Sequence, residues 1–289
     1  MLGGGVAAAA GDGPAGQPRE TPTEIFAAVL RQSIGAPARA DIGDEATERL
    51  SDDLILIPGD VAVKVLKMWG RPFPADIVAL LMGAEGVEAP GYIRVVPAGF
   101  IDADTVTAWS DADLLASLDA TVARGNTQRV KQNLQPLEAR RWVLPPHYNQ
   151  RLHQLTWAAL VLPKTEPRES DGVVSYHAVG FGRDGYVELM VVSDTQKVPQ
   201  ISHMMELFLA GLNFRPGKAY DDAVPTDQRA PAGLAGVMGA DSLRKATENS
   251  SFLAGDRVVP VAGSIVAAIG GLSLLVYVRR HLRRQARRI

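Results

Sequence analysis

"VVSYHAVGFGRDGYVELMVVS", residues 173–193, is two β-rich runs either side of Asp184-Gly185. Asp-Gly between such runs is a strong short-range hairpin signal, because glycine takes the backbone conformation that a tight turn demands. Upstream, "RLHQLTWAALVLP" (151–163) and "EARRWVLP" (138–145) are two more strand candidates. "PPHYNQ" (145–150), "PKTEPRESDG" (163–172) and "GRDG" (182–185) divide the four runs, so antiparallel pairing is expected. Downstream, "QISHMMELFLAGLNF" (200–214) places Met204, Met205, Phe208, Leu209 and Leu212 at helical spacing toward a core. Strands in a run followed by a helix predict an α+β fold, an antiparallel sheet with flanking helices.

The first half carries the same kinds of signal, less regularly. "TEIFAAVLRQSI" (23–34) predicts a short amphipathic helix, and "LILIP" (54–58) a short apolar strand. "DVAVKVLKMWG" (60–70) follows as a helix with Asp60 at its N-cap and Gly70 at its stop. "IVALLMG" and "YIRVVPAGF" are β-rich, and "SDADLLASLDATVARGNTQ" opens with Ser110 as N-cap and sets Leu114, Leu115, Leu118 and Val122 on one face. Trp109, Trp142 and Trp157 are expected in the core, with Leu155 and Trp157 on one strand face. With 46% hydrophobic and 6% aromatic residues, the chain has enough apolar side chains for one or two cores.

No motif supplies a catalytic, cofactor or metal site. Gly180, Gly182 and Gly185 match G-x-G-x-x-G, but no helix follows to present its N-terminus to a phosphate. Gly11, Gly13 and Gly16 match it within a Gly/Ala-rich leader. "DADTVTAWSDAD" (102–113) begins like a calcium loop, yet Thr107 stands where the sharp-turn glycine belongs and Asp113 at the bidentate position. A solvated connection into a helix, with Asp111 and Asp113 complementing the dipole, accounts for it better. The histidines are scattered: His147 and His153 across a turn, His177 within a strand, His203 on a helix. Zero cysteines excludes disulfides and thiol chemistry.

The C-terminal end decides the expected location. Val258 to Val278 contains no charged residue, and as a helix it would be about 32 Å long, enough to cross a hydrocarbon core once. Arg279, Arg280, Arg283, Arg284, Arg287 and Arg288 follow at once, and basic residues beside a span stay cytoplasmic. The rest of the chain is then expected outside the cytoplasm. Its first residues, "MLGGGVAAAAGDG", fit the back half of a signal peptide without a basic start; a flexible Ala/Gly leader is the alternative. Setting those six arginines aside leaves 24 basic against 32 acidic residues, a net of -8, which gives no electrostatic reason to bind nucleic acid. Gly263, Ala267 and Gly271 recur every four residues along the span, a small-residue stripe through which two copies could pair.

Several blocks together resemble a known family. "WVLPPHYNQRLHQLTWAALV", "GFGRDGYVELMVVSD" and "FRPGKAYDDAVPTDQRAPAGLAGVMG", preceded by "LILIPGD" and "GFIDADTVTAWSDADLL", resemble a bacterial family of uncharacterised membrane-anchored proteins, domain of unknown function 2167, over roughly residues 40 to 245. The resemblance implies an exported domain with a C-terminal hydrophobic anchor and no established activity, so it supplies no catalytic residue. Asp222 departs from the family pattern, which favours an aromatic there. The organisation expected is a leader over 1–22, an extracytoplasmic α+β domain over 23–230, a juxtamembrane segment over 231–257, a span over 258–278 and a cytoplasmic tail over 279–289. The function expected is an inner-membrane module that binds or scaffolds another envelope component and also contacts the bilayer. An envelope hydrolase built from dispersed residues such as His147, His177, Asp184 or Glu188 is the rival.

Overall fold

The computed structural model describes residues 20–69, 76–83, 89–102, 110–131, 134–165, 169, 172–230, 233, 237 and 238. In chain order the elements are α1 (Pro22–Gln32), β1 (Ile34–Gly35), β2 (Arg39–Ile42), β3 (Ala46–Arg49), β4 (Leu54–Pro58), α2 (Gly59–Met68), β5 (Ile77–Gly83) and β6 (Gly91–Val96). They continue with α3 (Asp111–Lys131), β7 (Leu137–Asn149), β8 (Gln154–Pro163), β9 (Val173–Phe181), β10 (Tyr186–Ser193), α4 (Val198–Gly211) and β11 (Leu212–Phe214). One sheet of eight strands runs β1-β4-β5-β6-β10-β9-β8-β7, and a second of three runs β11-β3-β2. Every paired strand is antiparallel. The fold is α+β as expected, with the four-strand run β7 to β10 as one meander.

β4, β5 and β8 are nearly continuous apolar runs, not alternating ones, because both faces of the large sheet are covered there. On one face α4 and the small sheet close over Leu56, Leu81, Ile93, Leu160, Tyr176 and Leu189. On the other, α1 and α2 cover Ile57, Leu80 and Tyr92. The same face continues under α3, where Leu118 and Val122 meet Leu137, Ala159 and Val161. Met204, Met205, Phe208 and Leu209 of α4 are buried as their spacing predicts, while Leu212 opens β11 and is half-buried.

Local chemistry sets the helix ends. Thr21 caps α1 in a capping box with Glu24, so the helix starts inside the stretch expected as leader. Ser110 and Asp113 exchange bonds in the same way at α3, Ser110 Oγ donating to Asp113 Oδ2 at 2.6 Å. Asp60, expected as the cap of α2, instead lies in its first turn, where it complements the dipole. Gly59 opens the helix, and its backbone presses on β5: a Cβ there would stand 2.7 Å from the Val78 carbonyl oxygen.

The reading of "PPHYNQ" as a turn is corrected. β7 runs through Pro145, Pro146, His147 and Tyr148, and the chain reverses only at residues 150–153. Proline cannot donate to a ladder, but β7 is an edge strand, and its register shifts between Leu144 and His147. Trp157 and Leu155 are fully buried on one face as expected, while Trp142 is half-buried and donates its indole N–H to the Asp111 carbonyl. Trp109 and Gly70 lie outside the described residues. So do the leader's residues 1–19, most of 231–257, the expected span over 258–278 with its stripe Gly263, Ala267 and Gly271, and the six terminal arginines. Among the described residues no helix is long and apolar enough to cross a membrane.

Candidate functional site

A charge in the middle of a two-sided apolar sheet needs partners, since burying it alone costs many kcal/mol. Two such charges interrupt the strands: Arg94 in "YIRVV" of β6 and Glu188 in "YVELMVV" of β10. Both are fully buried. Antiparallel pairing sets them directly opposite each other, and Glu188 Oε2 accepts from Arg94 Nη1 at 3.0 Å. Asp76, just before β5, takes the other edge of the guanidinium as a fork, at 2.9 Å from Nε and 2.7 Å from Nη2.

The row continues into β9. Glu188 Oε1 lies 2.7 Å from His177 Nδ1, and His177 Nε2 lies 2.7 Å from Ser175 Oγ. Ser175 and His177 share a face because they are two residues apart in a strand. The imidazole stacks on Trp157 of β8, with centroids 4.5 Å apart and planes within 3°. Trp157 Nε1 is buried with no hydrogen-bond partner. Ser175, His177, Glu188, Arg94 and Asp76 therefore form one continuous polar row across adjacent strands. Its middle is buried; Ser175 is half-buried at one end and Asp76 partly exposed at the other.

Electrostatics fix the charge states in the middle of the row. Burial pushes the Glu188 carboxyl up, but the bond to His177 and the Arg94 charge outweigh it and hold the pKa below the usual carboxylate range. Burial opposes the Arg94 charge, and Glu188 and Asp76 more than restore it. An ionised Glu188 can only accept, so His177 Nδ1 carries the hydrogen of that contact. In the tautomer whose one hydrogen is on Nδ1, Nε2 presents a lone pair to the Ser175 hydroxyl. The row can thus take a proton from a serine hydroxyl and stabilise the cation that results.

Of the four residues named for the rival reading, the structure joins His177 and Glu188 and separates the other two. His147 is exposed on the edge strand β7. Asp184 sits at the β9–β10 hairpin tip, 2.8 Å from Lys218 Nζ. His203 is exposed on α4. The sequence reading missed Ser175, Arg94 and Asp76; the available signal was a full charge inside each of two apolar runs. Among the described residues no three His, Asp or Glu side chains are grouped to hold a metal.

A second cluster gathers blocks that are distant in sequence. His153, in the turn before β8 at φ 50°, stacks on Tyr220 with centroids 3.8 Å apart and lies 3.2 Å from Tyr148 Oη. Tyr220 donates to the Ile101 carbonyl, and Arg183 and Asp227 form a two-bond fork at 2.8 Å each. Residues 215–230 are thereby strapped across the hairpin tip. Asp222 is exposed and accepts from the Ala219 N–H.

The chain belongs to the family described as "Protein of unknown function (DUF2167)", whose model matches residues 35–256. No curated protein matches the chain. Among solved structures, the solution structure of cyanobacterial PsbP (CyanoP) from Synechocystis sp. PCC 6803 aligns at 9% identity and a TM-score of 0.33, covering 64% of this chain and 92% of that one.

Proposed function

We propose that this member of the DUF2167 family is a single-span module of a bacterial inner membrane whose folded domain lies outside the cytoplasm and binds another envelope component. The observation that carries the reading is the charge-free run Val258 to Val278 followed at once by six arginines. The acidic balance of the remainder and the absence of a catalytic or cofactor motif support binding over chemistry. Lipid contacts the span and the basic tail, and the stripe of Gly263, Ala267 and Gly271 pairs two copies within the bilayer. Proximity labelling from the native membrane tests the binding: the intact chain should enrich a recurring envelope protein over an anchor that lacks the domain. Equal labelling by both would contradict it.

A second reading, hydrolysis of an envelope substrate, has one specific observation in its favour. His177 and Glu188 are in direct contact at 2.7 Å, and a serine hydroxyl stands on the far side of the ring.

A further inference from the structure

We propose that Ser175 is an activated nucleophile that takes the acyl group of a neutral carboxylic ester, with His177 as general base and Glu188 as the group that orients it; this rests on the hydrolytic reading and names its reacting atom. The order of the contacts is that of a serine nucleophile, its base and the base's carboxylate. Ser175 Oγ to His177 Nε2 and His177 Nδ1 to Glu188 Oε1 are both 2.7 Å.

Two further observations favour chemistry over a purely structural row. Trp157 holds the ring plane, and the serine and histidine lie on one strand paired on both sides, so the pair is held without loop motion. Ser175, the reacting end, is also more open to solvent than His177 or Glu188.

The surroundings select the substrate class. The group behind the base is an ionised carboxylate, Glu188, which disfavours phosphate or carboxylate substrates at the serine. The backbone N–H groups around Ser175 belong to the ladders with β8 and β10, so they do not form an oxyanion hole.

In the reaction, Ser175 Oγ bonds to the acyl carbon while its proton passes to His177 Nε2. The carbon–oxygen bond to the alcohol breaks, and the alcohol leaves with that proton. Water then attacks the acyl-serine, giving its proton to the same nitrogen. The bond from the acyl carbon to Ser175 Oγ then breaks, that proton returns from His177 Nε2 to Oγ, and the carboxylic acid departs.

The chain contains no cysteine, so Ser175→Cys in the full chain creates a single thiol whose alkylation by iodoacetamide can be followed against pH. A thiol facing a working base should become a thiolate at least about 1.5 pH units below the usual value of about 8.5. The same variant unfolded in urea supplies the reference, and adding His177→Gln should return the folded midpoint toward it. In the wild-type chain a fluorophosphonate should form an adduct that maps to Ser175 and is lost in Ser175→Ala. A folded midpoint equal to the urea reference, or no adduct at Ser175, would overturn the proposal. Ester turnover above the Ser175→Ala background tests the hydrolytic reading separately. Its absence beside a depressed midpoint and an adduct would overturn that reading and leave the nucleophile standing.

Discussion

Glu48 should make this protein lose stability as pH rises through the neutral range, and Glu48→Gln should remove most of that loss. The side chain lies in β3, the middle strand of the small sheet, fully buried with neither carboxylate oxygen hydrogen-bonded. It presses against Gly211 at the end of α4, the negative end of the helix dipole, which disfavours a further negative charge. Burial raises its pKa from 4.5 to about 9, with the Arg49 charge opposing weakly. The folded chain therefore keeps a proton that the unfolded chain releases above 4.5. Stability is complete below that value and is lost progressively as pH rises toward the folded pKa. Each unit of the window is worth roughly 1.4 kcal/mol, so about 4 kcal/mol is lost between pH 5 and pH 8. Denaturant titrations followed by tryptophan fluorescence, at several pH values for both chains, give the two slopes, and any fixed cost of a buried amide cancels in the comparison. Parallel slopes within about 1 kcal/mol over that range would refute the reasoning, because Glu48 would then ionise alike in both states.

The polar row gives a second stability test. Glu188→Ala strips Arg94 of one partner and should cost about 3–5 kcal/mol, whereas Arg94→Met with Glu188→Leu should cost much less in the same titrations, since no buried charge is orphaned. Gly185→Ala should destabilise by about 1–3 kcal/mol, because φ is 152° and the added Cβ would collide with the Val96 carbonyl oxygen; a smaller shift in the thermal midpoint than Gly217→Ala, where nothing lies within 4 Å, would count against it. In the proposed span, Gly263→Leu with Gly271→Leu should weaken association in a bilayer reporter assay, and unchanged association would reduce the stripe to composition.

Much of the sheet is legible locally. Asp184-Gly185 marks the hairpin, and the apolar runs either side of it pair in register from Tyr186 with Phe181 to Ser193 with Val174. Pro145 and Pro146 mislead because proline signals a turn in most settings, and only the position of β7 at an edge makes it tolerable in a strand. Asp60 misleads because an acidic residue near a helix start serves the cap or the first turn equally well. The site was half visible. His177 and Glu188 stand in neighbouring runs, so a hairpin suffices to join them, whereas Arg94 reaches Glu188 across 94 residues of chain. That pairing depends on β6 inserting beside β10, which no local pattern encodes; a buried charge in each run was the trace it left.

Membrane topology is the claim on which the proposed function stands, and protease treatment of intact spheroplasts carrying epitopes on the domain and on the C-terminal tail tests it most directly. The account predicts that the domain epitope is lost while the tail epitope survives until the membrane is permeabilised. A protected domain with a digested tail would contradict it.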